Sequence, residues 1–255
     1  MDIKELKVAG NKNHPWEYAR SRVVNRIVAR YLTFDRSKAA WDVGCGDVFF
    51  LSKFHETFPA YSLMAVDVAF DDEIIERLSK KYAAYNILFF KNINDVKKVA
   101  GKAAVIFLLD VIEHVEDDVD FLKSLACKPF VDKDTLIVVT VPAFNSLYVE
   151  RDKWLGHYRR YSRKMLTNHI GRAGLSEVEG GYFFFSLLIL RAVQKLLEVA
   201  VKPKNETGIG SWKGGRAVSF LYEKLLLCDF YISLFLKALH IKLPGLSAYT
   251  ICKLS

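Results

Sequence analysis

The stretch Trp41–Phe50, WDVGCGDVFF, decides the fold of this chain. A short apolar run, Ala39–Val43, predicts a buried strand that leads into it. Gly44 and Gly46 then turn the chain, and a helical pattern follows over Val48–Phe58. A strand, a glycine turn and a helix together bring backbone N–H groups and a helix N-terminus up to a ligand. We therefore expect a ligand site at this turn.

An acidic residue stands at the distance from the turn at which a second strand presents a carboxylate to ribose. Asp67 follows the predicted strand Ser62–Val66, 21 residues after Gly46, and a spacing of about 20 residues is typical of ribose recognition. Phe49 occupies the place of the third glycine in the pyrophosphate-binding pattern G-x-G-x-x-G. The turn therefore favours a nucleoside without phosphates over the dinucleotide of an oxidoreductase.

Apolar runs and helical patterns alternate along the first 183 residues. Strands are predicted over 39–43, 62–66, 87–90, 103–109 and 135–141, with helices over 13–33, 48–58, 72–81, 94–100, 118–125 and 164–173. Such strands predict a parallel sheet covered on both faces, whose ligands bind beyond the carboxyl ends of the strands. Gly44, Asp67, Asn92 and Asp110 all follow predicted strands, so we expect them at one rim.

Three further motifs make the pattern specific. Residues 108–118 read LLDVIEHVEDD, residues 141–143 read VPA, and residues 156–161 read GHYRRY. With DVGCG and the Val-Asp pair at 66–67, they resemble the successive motifs of class I S-adenosylmethionine (SAM) methyltransferases, in the bacterial and archaeal branch with VPA…GHxRRY. The resemblance covers roughly residues 13–183 and the last eight.

The resemblance implies a Rossmann-like α/β fold with a mostly parallel seven-stranded sheet and helices on both faces. Its last two strands, predicted over 176–182 and 247–254, would be antiparallel. The domain organisation is then a core over 1–183 that includes the N-terminal helix, a helical insertion over 184–246, and the final strand over 247–255. The N-terminal helix would fold over the cofactor.

The resemblance also implies a SAM site. The backbone of the glycine turn would contact the methionine part, Asp67 would accept the ribose hydroxyls, and Asp110 would lie beside the methionine end. Val48 stands where the family commonly has another glycine, and we expect its methyl groups to crowd the amino-acid end of the cofactor. The implied cofactor residues are Asp42, Gly44, Cys45, Gly46, Asp67, Val68, Asn92, Ile93 and Asp110, with Asn92 and Ile93 beside adenine.

The set Asp110-x-x-Glu113-His114 resembles the E-x-x-E-H set of metal-dependent small-RNA 2′-O-methyltransferases and of ubiquinone-pathway O-methyltransferases. Residues spaced i, i+3 and i+4 share a helical face, and His157 stands where the small-RNA enzymes have another histidine. Asp110 replaces a longer glutamate, so a divalent metal is an alternative that we do not favour. The candidate ligands are Asp110, Glu113, His114 and His157.

Acid–base and substrate-binding residues are predicted from the same segments. His157 has the unperturbed pKa of a base near neutral pH, and Asp110 and His114 are the other catalytic candidates. Arginine binds phosphate through two hydrogen bonds. We therefore expect the acceptor substrate to bind at Arg159, Arg160 and Tyr161. The alternative for both arginines is ion pairing with Glu150 and Asp152.

Charge and apolar residues concentrate in the insertion. The chain carries a net charge of +8, and from residue 181 onward ten Lys and Arg stand against four Asp and Glu. Two amphipathic helices are predicted over 184–201 and 217–241, joined by a Gly/Pro/Lys loop, and both hold too many charges for a membrane span. Their apolar faces favour a peripheral membrane contact. The alternative is packing on each other, on the sheet, or on a second copy as a homodimer.

These observations predict a SAM-dependent O-methyltransferase for a saccharide- or lipid-linked acceptor at a membrane surface. The alternatives are a methyltransferase for a soluble metabolite and a non-catalytic SAM-binding protein. A nucleic acid partner is disfavoured because no appended RNA-binding module is present. The polar start and the four scattered cysteines favour a cytoplasmic protein with reduced thiols.

Overall fold

The computed structural model describes residues 14–33, 35, 37–96, 101–200 and 214–255. Within them seven strands form one sheet in the order β3-β2-β1-β4-β5-β7-β6. β1 to β5 run parallel, and β7 is antiparallel to both of its neighbours, which confirms the predicted sheet. The strands are β1 (Ala39–Val43), β2 (Ser62–Val66), β3 (Ile87–Phe90), β4 (Ala103–Leu109), β5 (Leu136–Pro142), β6 (Leu175–Phe183) and β7 (Ser247–Leu254).

Helices cover the two faces of this sheet. Those of the described residues are α1 (Pro15–Val28), α2 (Phe49–Thr57), α3 (Asp72–Lys81), α4 (Asp118–Ala126), α5 (Glu150–Leu155), α6 (Arg163–Arg172), α7 (Phe185–Ala200) and α8 (Arg216–Ala238). One core layer joins α1, α2, α3 and α8 to the sheet, with Phe54 and Phe107 at its centre. The other core layer joins α4 and α6 to the opposite face of the sheet and contains Trp41 and Ile106. Every strand residue of β1 and β4 is buried, as the apolar runs predict.

Some predicted bounds were wrong. The first helix ends at Val28 rather than at residue 33, because the chain turns there and the Tyr31 hydroxyl donates to Glu179 Oε2 over 2.6 Å. The insertion's second helix ends at Ala238 rather than at residue 241. The helix predicted over 94–100 is a 3₁₀ turn at Ile93–Val96, and its remainder lies outside the described residues, as does most of the loop predicted inside the insertion.

The insertion packs against the N-terminal helix. Arg22 Nε of α1 lies 3.0 Å from Glu223 Oε1 of α8, and the rings of His14 and Tyr222 meet edge-on with centroids 5.8 Å apart. Asp229 accepts hydrogen bonds from the backbone N–H and hydroxyl of Ser186, which joins α8 to α7. Within the described part of the chain, no helix combines the length and the apolar character that crossing a membrane requires.

Candidate functional site

The glycine turn after β1 bends at two positions whose backbone conformation favours glycine. Gly44 and Gly46 have φ of +76° and +56°, which side chains rarely adopt. A Cβ on Gly44 would also lie 2.6 Å from Val111 Cγ2. The Gly44 N–H donates to Val66 O at the end of β2 over 2.8 Å. The turn is therefore held at the carboxyl rim between β1 and β2, where a ligand can approach the backbone.

Asp67 lies against that turn. Its Oδ2 accepts from the Gly46 N–H and its Oδ1 from the Ala69 N–H, both over 2.9 Å. Each carboxylate oxygen can accept more than one hydrogen bond, so ribose hydroxyls can bind to Asp67 in addition. Val68 beside it is 88% exposed.

Val48 has a backbone conformation that favours glycine. Its φ is +54°, a conformation that costs a β-branched residue roughly 1–2 kcal/mol. Its side chain is fully buried in the core that contains Phe50 and Leu51. Crowding of a cofactor by Val48 stays a prediction.

The remaining predicted cofactor residues differ in exposure. Asp42 and Cys45 are buried beneath the turn. Burial raises the pKa of Asp42 to about 7, with Arg20 opposing the rise, and burial raises the pKa of the Cys45 thiol. Asn92 is exposed and its Oδ1 accepts from the Asn94 N–H over 2.9 Å, while Ile93 is half-buried next to it. All of these lie at or beneath the same rim.

Arg20 of α1 is the site residue that the sequence reasoning did not assign. It forms an ion pair with Asp110 Oδ2, and its guanidinium stacks 4.5 Å from the centroid of the Trp16 ring. Asp110 has φ of +58° and its Oδ1 accepts from Thr140 Oγ1 over 3.3 Å. Its place on the N-terminal helix, which the resemblance folds over the cofactor, was the signal that could have found it. α1 thus reaches across the end of β4.

Three predicted metal candidates meet just beyond this ion pair. One ligand atom from each of Glu113, His114 and His157 lies within 4.8 Å of the others. Glu113 is fully buried, and neither of its carboxylate oxygens has a hydrogen-bond partner among the described residues. Burial, and next the charge of Asp110, raise the pKa of Glu113 well above its usual range. The fourth candidate, Asp110, is held outside this cluster by Arg20.

A buried aspartate orients His157. Asp152 Oδ1 lies 3.1 Å from His157 Nδ1 and also accepts from Arg160 Nε over 2.9 Å. Burial of Asp152 opposes ionisation, but these hydrogen bonds outweigh it and keep its pKa below the usual value. The His157 and His114 rings meet edge-on with centroids 4.6 Å apart. The ring of His157 is therefore oriented toward the cluster. Arg160 pairs with Asp152, as the alternative interpretation of this arginine predicted.

The other two substrate candidates bond to one carboxylate on α4. Arg159 Nη1 lies 3.2 Å from Asp118 Oδ1, and the Tyr161 hydroxyl donates to Asp118 Oδ2 over 2.6 Å. Tyr161 is fully buried, whereas the side chain of Arg159 is 21% exposed. Burial raises the pKa of Tyr161. Acceptor binding by Arg159, Arg160 and Tyr161 stays a prediction, and of the three Arg159 is the most accessible.

Comparison with known proteins identifies the architecture. No family model and no curated protein matches the sequence. The methyltransferase domain of bacterial CtHen1-C shares 13% identity with a TM-score of 0.53, covering 93% of this chain and 97% of that one. The chain has the class I methyltransferase fold. Coclaurine N-methyltransferase bound to N-methylheliamine and S-adenosylhomocysteine (SAH) shares 12% identity and a TM-score of 0.53, over 91% of this chain and 70% of its own.

A protein from Galdieria sulphuraria, provisionally named a sarcosine dimethylglycine methyltransferase, also shares the class I methyltransferase fold. It has 12% identity and a TM-score of 0.58, covering 93% of this chain and 86% of that one. At a sequence identity this low, the similarity shows a shared fold and nothing about activity. The chemistry of this chain is therefore argued from its own residues.

Proposed function

We propose that this chain is a SAM-dependent methyltransferase that methylates an oxygen atom of a saccharide- or lipid-linked acceptor at a membrane surface, as a member of the branch with the VPA…GHxRRY motif. The observation that carries the proposal is the shared rim. Asp67 bonds to the Gly46 N–H, and the Glu113, His114 and His157 cluster lies beyond the neighbouring strand ends. On this proposal, a cofactor-binding site and an acid–base group would border one space.

SAM fits the first half of this rim by charge and hydrogen bonding. The backbone of the glycine turn would contact the methionine part, and Asp67 would accept the two ribose hydroxyls. The amino-acid end of SAM carries both an ammonium and a carboxylate, and the paired Asp110 and Arg20 offer one partner for each. Asn92 and Ile93 would border adenine. Asp42, buried beneath the turn, would help to orient the amino-acid end.

The chemistry requires little more than alignment and removal of one proton. When bound, SAM would supply an activated methyl group, which an oxygen lone pair of the acceptor would take as the carbon–sulfur bond breaks to leave a neutral thioether. His157 would take the acceptor's proton. Because Nδ1 bonds to Asp152, the tautomer that donates from Nδ1 leaves the lone pair on Nε2. Asp152 would thus act as a positioning residue.

A divalent cation also fits this site chemically. The two orphaned oxygens of buried Glu113 are donors that suit hard ions such as Mg²⁺, and the imidazoles of His114 and His157 are donors that softer divalent ions take. Such an ion would polarise the acceptor oxygen when bound. The proposed proton transfer to His157 does not require it.

The exposed surface of helix α7 supports the proposal that the acceptor has an apolar part. Lys195 of α7 donates to the Ser146 carbonyl beyond the end of β5, so this helix borders the rim. Its exposed surface carries Ile189, Leu190, Val193 and Leu196, with Arg191 and Lys195 as its basic residues. An apolar surface with Arg and Lys on the other side of the helix suits the interface of an anionic membrane.

Transfer of a labelled methyl group tests this function. We expect the chain, given methyl-labelled SAM and a membrane extract containing lipid-linked saccharides, to move label into the organic-soluble fraction. Label in the water-soluble fraction alone would favour the soluble-metabolite alternative. SAM binding without transfer to any acceptor would identify a non-catalytic SAM-binding protein.

Vesicle sedimentation tests the membrane surface separately. We expect the chain to bind vesicles containing phosphatidylglycerol, and Val193→Asp with Leu196→Asp to weaken binding at least about tenfold, since each buried apolar side chain contributes roughly 1.5–3 kcal/mol. Leu88→Asp is the matched control, because Leu88 is 49% exposed on the distant edge strand β3. Equal binding by all three proteins would remove α7 from the membrane contact.

A further inference from the structure

Helix α8 carries an unbroken row of exposed apolar side chains. Its members recur at alternating spacings of three and four residues, which places them on one side of the helix. Their exposures run from 51% to 65%, and Cys228 among them is also exposed. The members of this row are Val218, Leu221, Leu225, Cys228, Ile232, Phe235 and Leu239.

The row is separate from the face with which α8 packs on its own chain. Leu226 and Phe230 are buried in the core, and Glu223 bonds to Arg22 of α1. These positions lie on the opposite side of the helix from the row. α8 is therefore apolar on two sides, and the described chain covers one of them.

The side of α8 opposite the row differs from that of a membrane helix. A helix that lies in a membrane interface carries Lys and Arg on a polar face opposite its apolar one. In α8 that opposite side is buried, with Leu226 and Phe230 in the core, and the exposed cations are Arg216 at the helix start and Lys224 beside the row. An apolar row without an opposing polar face suits another helix better than lipid phosphates.

We propose that the row on α8 is a dimer interface, occupied by the same row of a second copy of this chain. Alternation of three and four residues is the spacing at which two helices interlock side chains. Each half-exposed side chain offers on the order of 100 Å². With Phe220 and Tyr231 beside it, 61% and 53% exposed, the row approaches the roughly 800 Å² that each partner of a specific dimer buries.

Two-fold symmetry places Cys228 at the centre of this contact. Leu225 and Ile232 lie three and four residues from it, and Leu221 and Phe235 lie seven residues away on either side. Two antiparallel copies of α8 that cross at Cys228 would therefore place Leu225 near Ile232 and Leu221 near Phe235. An isologous contact of this kind is the commonest in soluble dimers.

Light scattering coupled to size exclusion tests the dimer with the full chain. We expect twice the chain mass of 29.1 kDa, falling to the monomer mass in Leu225→Asp with Ile232→Asp and in the single variant Leu221→Asp. Leu88→Asp, on β3, should keep the dimer mass. Circular dichroism establishes that each variant is folded. A monomeric wild-type chain, or row variants that stay dimeric, would overturn the proposal.

Crosslinking locates the contact. A short bis-maleimide should join two chains in Cys127→Ser and fail to do so in Cys228→Ser, since Cys127 and Cys228 are the exposed cysteines of the described residues. Joining through Cys127 alone would overturn the proposal. So would a monomer whose Leu225→Asp and Ile232→Asp variant loses vesicle binding, which would assign the row to the membrane.

Discussion

Replacing Asp67 by alanine should weaken SAM binding by a factor of at least about 100. The carboxylate would lose two hydrogen bonds from ribose hydroxyls, and a hydrogen bond to a charged group contributes about 1.5–3 kcal/mol. The Gly46 N–H would also lose its acceptor in the turn. Equilibrium dialysis with labelled SAM measures the effect.

Asp71 provides the matched control for this substitution. It is an exposed aspartate four residues away whose Oδ1 caps α3 by accepting from the Ile74 N–H over 2.7 Å. Asp71→Ala should cost about 1 kcal/mol of stability and leave SAM affinity unchanged. Equal affinity of Asp67→Ala and the wild-type chain would contradict the assignment of Asp67 to ribose.

Replacing His157 by alanine should lower methyl transfer by about 10²–10⁴-fold and leave SAM affinity intact. General-base catalysis contributes an effect of that size, and the turn and Asp67, which we propose bind SAM, do not touch His157. The measurement is single-turnover transfer of label with SAM saturating, alongside dialysis of the same protein. If His157→Ala also lost SAM binding, His157 would instead be a structural part of the cofactor-binding site.

His55 is the control for this second substitution. It is a half-buried histidine of α2 that packs against Tyr85, with ring centroids 5.6 Å apart, and it lies near the end of α2 away from the rim. His55→Ala should retain full transfer. Unchanged transfer in His157→Ala would exclude a base at this position, and the acceptor would then lose its proton by another route.

Local patterns predicted the sheet well because its strands are buried on both sides. The bounds of β1, β2, β3, β4 and β7 match their predictions, and β5 and β6 differ by one residue at each end. A buried parallel strand reads as a continuous apolar run that stops where the chain leaves the sheet. The rim residues Gly44, Asp67 and Asp110 follow directly from those ends.

The missed features depend on contacts between distant segments. Arg20 reaches Asp110 across 90 residues, and no local pattern distinguishes it from the other arginines of α1. The six residues of α5 are too few for a periodic pattern, yet α5 supplies Asp152, which orients His157 in addition to pairing with Arg160 as predicted. Interactions of this kind require the fold before they can be assigned.

The α7 and α8 surfaces show where hydrophobicity alone is ambiguous. Both helices expose apolar residues, and the sequence left membrane contact, packing and dimerisation open. Burial of Leu226 and Phe230 assigns one side of α8 to packing. That burial leaves α8 without the polar face of a membrane helix, and the vesicle and light-scattering experiments test whether α7 binds lipid and α8 binds a second copy.

Titration calorimetry of the wild-type chain with SAM and with SAH tests the central claim most directly. If the glycine turn and Asp67 form a nucleoside-binding site, SAM and SAH should each bind at one site per chain, whatever the acceptor is. A chain that is folded by circular dichroism and releases no heat with either compound would contradict the account.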